Sequence, residues 1–246
     1  MTVKKKNRLD LILIDKGLVS SRQRARAIIM AGKVLVDNEP IDKPGTMVSQ
    51  ERDIIIKGKD IPYVGRGGLK LDAAIKEFQI DVSGKLCLDV GASTGGFTDC
   101  LLQKNASRVI AVDVGYNQLA WKLRQDPRVV VMERTNIRYL DPVTIPNSVD
   151  MVTIDVSFIS LRIVVPAILS FLKKNGIILA LIKPQFEAGR RNVGKGGVVR
   201  SAAIHNEVIK RLKGFFLNKG LVFQSIINSP ILGAKGNKEF FIYLKN

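Results

Sequence analysis

The sequence predicts an α/β protein, a mostly parallel seven-stranded sheet covered by helices, with a small α+β unit ahead of it. Three observations carry this. Short apolar runs alternate with helical stretches through the later two thirds of the chain, the rhythm of a parallel sheet. One such run, "LCLDV" (Leu86–Val90), breaks into the small-residue turn "GASTGG" just before a helical run that starts at Phe97. Residues 1–60 hold only two short helical patterns and a few strand-like stretches, too little for a core of the same kind.

Residues 1–7 read as a basic arm. Leu9, Ile12 and Leu13 then recur at helical spacing, and Gly17 stops that helix. Ser20 and Ser21 are suited to start a second, with Ala25, Ile28 and Ile29 inward and Gly32 at its end. Lys33–Val36 is a strand, "DNEP" a turn, and Val48–Lys57 a second strand. The stretch "KGKDIPYVGRGG" has a proline and four glycines, so residues 61–69 are expected to link a domain over 1–60 to another over 70–246. Past it Leu71, Ile75 and Phe78 make one helical stripe. Buried strands are expected at Leu86–Val90, Arg108–Asp113, Val129–Met132, Asp150–Asp155, Ile177–Lys183, Leu221–Ile227 and Glu239–Leu244.

Charge narrows the function. Among 246 residues, 39 Lys and Arg oppose 22 Asp and Glu, a net charge of +17 that favours a polyanionic partner such as nucleic acid. Arg22 and Arg26 share one side of the second helix, Lys33 follows just past its end, and no carboxylate lies between Ser20 and Gly32. A second basic segment, Phe186–Arg200, carries Arg190, Arg191, Lys195 and Arg200 against Glu187 alone, and reads as a mobile loop that grips substrate. Phe186 and Glu187 are expected to shape the entrance beside it.

No secretory signal opens the sequence, and its greasiest stretch, Phe158–Leu172, is interrupted by Arg162 and Pro166, so a cytoplasmic protein without stable membrane insertion is expected. Cys87 and Cys100 are too few for a disulfide scaffold and read as reduced. His205 stands alone without metal-ligand spacing, and no metal is expected.

The glycine turn points to a nucleotide-like ligand above the sheet. It lacks the Lys-Ser/Thr of a P-loop, and Ser93 stands where a dinucleotide fold has its second glycine. A nucleoside without phosphate fits better, and S-adenosylmethionine is the common one. Asp89, Gly91, Ser93, Gly95, Gly96 and Phe97 are the expected cofactor-binding residues. Asp113, 22 residues past Gly91, is suited to ribose hydroxyls, and Asn136 and Asp155 lie on the same rim. Asp155 and Lys183 end otherwise apolar strands, where a charge is costly unless paired. They are the expected catalytic pair, with Lys183 orienting and deprotonating an acceptor hydroxyl.

Two resemblances sharpen this. Arg8–Ile41, including "SRQRARAIIMAGKVLVDN", resembles the S4 RNA-binding domain. That likeness implies that Arg22, Arg26 and Lys33 face the RNA backbone, with Arg8 near the edge. From about Tyr63 on, "VGRGGLKL", "LDVGASTGGFTDCLL", "VDVGYNQLAWKLR", "ERTNIR", "IDVSFISL", "LIKPQFE" and "GNKEFF" resemble the FtsJ-like ribose 2′-O-methyltransferases, which have a Rossmann-like fold. The two together resemble the TlyA type of rRNA methyltransferase, some of whose members are described as hemolysins. The resemblance implies a catalytic Lys-Asp-Lys-Glu set, here Lys70, Asp155, Lys183 and Glu239; Lys70 and Glu239 rest on it alone. It also implies S-adenosylmethionine as cofactor and ribosomal RNA or subunits as partner, with a cytidine of the small subunit as target and the large subunit also modified in some members. A monomer is expected. A non-catalytic RNA-binding factor is the rival reading; a membrane-active hemolysin has the poorer physics, since neither a spanning helix nor a barrel pattern is present.

Overall fold

The computed structural model describes residues 6–19, 21–57, 61–145 and 148–246. The chain divides into two compact units, residues 1–60 and 61–246.

The first unit contains β1 (Lys6–Arg8), α1 (Leu9–Asp15), α2 (Arg22–Met30), β2 (Val34–Val36), β3 (Glu39–Ile41), β4 (Met47–Ser49) and β5 (Ile54–Ile56). Ser21 caps α2, its hydroxyl accepting from Arg24 N at 3.2 Å. The inward stripes of the two helices, Leu9, Ile12 and Leu13 against Ala25, Ile28 and Ile29, close over Val34, Val36, Val48 and Ile54. Two expectations need correction. Lys6 and Asn7 are not part of a free arm: with Arg8 they form β1, antiparallel to β4, while residues 1–5 lie outside the described ones. The single strand expected over Val48–Lys57 is two, because a turn closed by Arg52 N to Ser49 O at 3.1 Å sends β4 to β1 and β5 to β2.

The second unit holds α3 (Arg66–Glu77), β6 (Leu86–Val90), α4 (Gly96–Gln103), β7 (Arg108–Val112), α5 (Trp121–Arg124), β8 (Val129–Met132), β9 (Val149–Ile154), α6 (Leu161–Ile168), β10 (Leu172–Ile182), α7 (Pro184–Glu187), α8 (Ala202–Leu217), β11 (Val222–Asn228) and β12 (Phe240–Lys245). Its seven strands run in the order β11-β12-β10-β9-β6-β7-β8, parallel except for β12, which is antiparallel to both neighbours. Strand alternation divides the core between the two faces. Leu88, Val90, Val152 and Ile154 meet α6 and α8 through Val164, Val165, Leu212 and Phe216. Cys87, Val109 and Met151 meet α3 and α4 through Leu71, Ile75, Cys100 and Leu101. Both cysteines are buried and free, and burial pushes each thiol up to about 12.

Residues 61–69 are not a linker. Tyr63 is buried in the second unit's core, Val64 N donates to Asp99 Oδ2 at 2.8 Å, and α3 starts at Arg66. Glycine is a poor helix former, but here the helix start needs it: a Cβ on Gly68 would overlap the Tyr63 ring, and one on Gly96 would lie 2.9 Å from Gly68 N. Among the described residues no helix is long and apolar enough to cross a membrane, and no cluster of three metal-ligating side chains occurs.

Candidate active site

The strand order reverses at β6, whose neighbours β7 and β9 are reached by connections on opposite faces. The crevice beyond the carboxyl ends of β6 and β9 is therefore where such a sheet holds a ligand. Asp155 N donates to Val90 O at 2.9 Å, which locks the two strand ends together. A pocket of about 210 Å3 opens there, lined by Gly67, Gly91, Ala92, Ser93, Thr94, Gly96, Phe97, Asp155, Ser157 and Lys183. Gly91 has φ +86°, and a Cβ on it would come 2.5 Å from Asp155 O, so only glycine turns here. Gly95, at φ +94°, starts α4; a Cβ on it would strike Leu123.

Two ion pairs assemble from four different elements. Lys183 Nζ lies 2.6 Å from Asp155 Oδ1 and donates to Ser157 Oγ at 3.0 Å. Lys70 Nζ donates to Glu239 Oε2 at 2.6 Å, both side chains being almost fully enclosed. Lys70 sits one turn past Gly67 on α3, and Glu239 immediately precedes β12. Asp155 Oδ1 is buried and, despite the nearby ammonium, accepts no hydrogen bond of good angle. It is held instead by the charge of Lys183 at 2.6 Å, so the two side chains form one paired unit at the pocket wall.

The expected cofactor residues separate into two groups. Gly91, Ser93, Gly96, Phe97 and Asp155 line the pocket. Asp113 receives Ser93 N at 2.7 Å and Gly115 N at 2.6 Å, so it shapes the glycine turn and the loop after β7 together. Asn136 caps a short 3-10 turn, accepting from Arg138 N at 3.2 Å. Asp89 is not a pocket residue. Fully buried, it accepts from Thr98 Oγ1 at 2.7 Å and Thr153 Oγ1 at 3.0 Å, and burial raises its pKa to about 7. Alternation along β6 places it with Cys87, under α4, where it ties that helix to β9.

The basic residues are exposed as expected: Arg22, Arg26 and Lys33 in the first unit, Arg190, Arg191, Lys195 and Arg200 in the second. The loop carrying the last four is tethered at its later end. Buried Asn237 accepts Val199 N at 3.0 Å and donates to Gly197 O at 3.0 Å, and His205 Nε2 meets Val199 O at 3.0 Å. Glu187 is buried beneath the entrance, not part of it: it accepts from Ser160 Oγ and Leu161 N, each at 2.7 Å, at the start of α6.

Sequence reasoning missed three features. Phe158 follows Asp155 by three residues, is 90% exposed at φ +65°, and packs against Phe186 with the rings tilted by 48° and centroids 4.9 Å apart. Tyr116 carries Arg134 over its ring at 4.0 Å. Glu133 accepts N–H groups of Asn117 at 2.9 Å and Gln118 at 3.1 Å and pairs with Arg124, which holds its pKa down near 2. The aromatic "F" within "IDVSFIS", beside a strand-end acid, was the available signal for the first; the others depend on contacts no local pattern announces.

The crevice suits a methyl donor of the S-adenosylmethionine type: the glycine turn lines it, Asp113 braces that turn through Ser93 N and Gly115 N, and the turn carries no P-loop lysine. Comparisons agree. The family model described as FtsJ-like methyltransferase matches residues 63–246, and that of the S4 domain matches residues 7–55. The chain is 49% identical over 241 residues to a protein of Bacillus subtilis (strain 168) provisionally named rRNA methyltransferase YqxC, spanning 98% of this chain and 86% of that one. It is 44% identical over 239 residues to the 16S/23S rRNA (cytidine-2'-O)-methyltransferase TlyA of Mycobacterium tuberculosis, spanning 97% of this chain and 89% of that one. A solved structure from Streptococcus thermophilus, provisionally described as a hemolysin, superposes with a TM-score of 0.78 at 43% identity, covering 99% of this chain and 90% of that one. The chain therefore belongs to the FtsJ-like methyltransferase family, in the form that carries an S4 domain ahead of the catalytic one.

Proposed function

We propose that this protein methylates the 2′-hydroxyl of a cytidine in ribosomal RNA, with S-adenosylmethionine as donor. The observation that carries the reading is the Asp155–Lys183 pair, 2.6 Å apart, on the wall of the cofactor-type pocket. When bound, the cofactor supplies a methyl group on a positively charged sulfur. The protein's own residues hold the acceptor. Lys183 Nζ, fixed between Asp155 and Ser157, orients the ribose oxygen; once the ammonium has released its own proton to solvent, the neutral amine takes the hydroxyl proton as the new bond forms, and Asp155 stabilises the ammonium that results. Lys70 and Glu239, the other two members of the expected Lys-Asp-Lys-Glu set, hold each other and join α3 to the start of β12. Phe158 and Phe186 offer the target base an exposed aromatic face, the usual means of keeping an unstacked base in place.

Ribosomal RNA is supported by the S4 match, by the net charge of +17, and by two relatives. The Mycobacterium tuberculosis protein is named for 16S/23S cytidine and a Campylobacter jejuni one, 35% identical over 186 residues, for 23S cytidine alone. The small subunit is the first target and the large subunit the second, both met in the cytoplasm by a monomer. Residues 1–60 hold the RNA, and residues 70–246, with the preceding 61–69, bind the cofactor. Incubation of separated subunits with cofactor labelled in its methyl group tests this. Label that survives alkaline hydrolysis in a dinucleotide marks a 2′-O-methyl group and supports the reading; label released with mononucleotides, or none in RNA, overturns it.

A further inference from the structure

The basic face of the first unit contains an acid that charge counting would not place there. Asp10 lies in the first turn of α1, and its side chain is fully buried. Both of its oxygens are used. Arg8 Nε donates to Oδ1 at 2.9 Å, Arg8 Nη2 to Oδ2 at 3.1 Å, and Arg22 Nε to Oδ2 at 3.1 Å. Arg8 comes from β1 and Arg22 from the first turn of α2, so one carboxylate gathers guanidinium groups from two elements. Backbone bonds fix it in turn: Asp10 N donates to Pro44 O at 3.1 Å, and Leu9 N to Thr46 O at 2.9 Å. The Arg8 guanidinium lies over the same turn, 3.1 Å from where a Cβ on Gly45 would stand.

The two arginines nevertheless remain open to solvent, with 42% of the Arg8 side chain and 55% of the Arg22 side chain exposed. Arg22 meets the carboxylate through Nε, and more than half of its side chain stays exposed. Arg8 closes a two-point contact through Nε and Nη2, with Nη1 against the Gly45 turn. Arg26 stands one turn beyond Arg22 on the same side of α2, and these two line an open hollow of about 480 Å3 with Gln23, Ala27 and Met30. An arginine side chain loses much rotamer freedom when it grips a phosphate. Here that freedom is removed beforehand, because a planar fork fixed through its Nε can present its remaining donors in only one plane.

We propose that Asp10 is a positioning residue for RNA: its buried carboxylate holds Arg8 and Arg22 as a preset pair for two backbone phosphates. This rests on the reading of the first unit as the RNA-holding one, and deepens it. The proposal reverses the sign expected from charge alone. Asp10→Asn removes a negative charge from a phosphate-binding face, so charge counting predicts tighter binding and an equal or steeper salt dependence. Positioning predicts weaker binding, because Asn offers one acceptor oxygen where the carboxylate offers two, and both forks come loose.

The test uses the full-length protein and purified 30S and 50S subunits, with affinity measured over a salt series and circular dichroism confirming a folded protein at the assay temperature. D10N is expected to bind roughly tenfold more weakly and to lose about 1.5 units of log–log salt slope, since about 0.7 to 0.9 unit accompanies each phosphate contact. The double variant R8K/R22K keeps every charge but lacks the Nε fork, and is expected to show a similar loss. It decides the matter even where D10N does not fold. In an R8A/R22A background, D10N is expected to cause no further loss of affinity. D10N binding as tightly as the parent, or R8K/R22K binding as the parent does, overturns the positioning role. Parent-like binding by R8A/R22A instead removes the RNA reading of this face, and the proposal with it.

Discussion

Asp89 makes the stability of the second unit depend on pH in the direction opposite to most carboxylates. In the unfolded chain its proton leaves near pH 3.8. In the folded protein, burial between Thr98 and Thr153 keeps the proton until about pH 7. Across that window the native state binds more protons than the unfolded one, so stability falls as pH rises, by about 1.4 kcal/mol per unit. The contribution is fully present below the unfolded value and is lost as pH climbs through the folded one. From a value of 3.8 to one of about 7, the loss is about 4 kcal/mol. Asp89→Asn removes this titration while keeping one acceptor and one donor for the two threonines. The stability difference, parent minus D89N, should therefore decline by about 1.4 kcal/mol per unit from pH 4 to pH 7 and level off above. Cys87 and Cys100 report on the right unit, being the chain's two cysteines, both buried there on either side of Asp89. Pulsed thiol labelling across a urea series at each pH gives the unfolding midpoint. A difference that stays flat or rises between pH 4 and 7 refutes the burial argument.

Three further outcomes follow from the site. Lys183→Ala should lower methyl transfer by about 10²- to 10⁴-fold, the usual worth of a positioned acid–base group, while cofactor affinity measured by calorimetry stays within a few-fold. Gly91→Ala meets both the strain of φ +86° and a carbonyl 2.5 Å away, so it should cost about 2–4 kcal/mol of stability and eliminate cofactor binding, read from thermal melts with and without cofactor. Glu133→Gln loosens the loop over Asn117–Leu119 and should raise the cofactor KM more than it lowers kcat. Because the Glu133 pKa is depressed to about 2, its contribution is present above pH 4.3 and fades as pH falls towards 2; acid titration of E133Q should show a shallower fall than the parent.

The sheet was legible because its punctuation is strong. Leu86–Val90 is an apolar run closed by glycine, and the structure gives β6 the same bounds. Asp155 and Lys183 were legible for a related reason, since a charge at the end of an apolar strand must be paired or used. The start of α3 was not, because "GRGG" has poor helix propensity and only the tight approach of Gly68 to Tyr63 and of Gly96 to α3 explains it. Asp89 was misassigned by proximity to the glycine turn, although the two-residue period of β6 already turns it inward beside Cys87. Glu187 and Asn237 show the remaining gap. Each satisfies backbone groups far away in sequence, at Leu161 and Val199, and such partners emerge only when the chain is folded.

The central claim is that the Asp155–Lys183 pair presents a cytidine 2′-hydroxyl to the methyl donor. Nucleoside mass spectrometry of 30S and 50S RNA after reaction with the parent protein and with K183A tests it most directly. The prediction is 2′-O-methylcytidine with the parent and a near-complete loss of it with K183A; a methyl group found on a base, or 2′-O-methylcytidine formed by K183A at the parental rate, would contradict it.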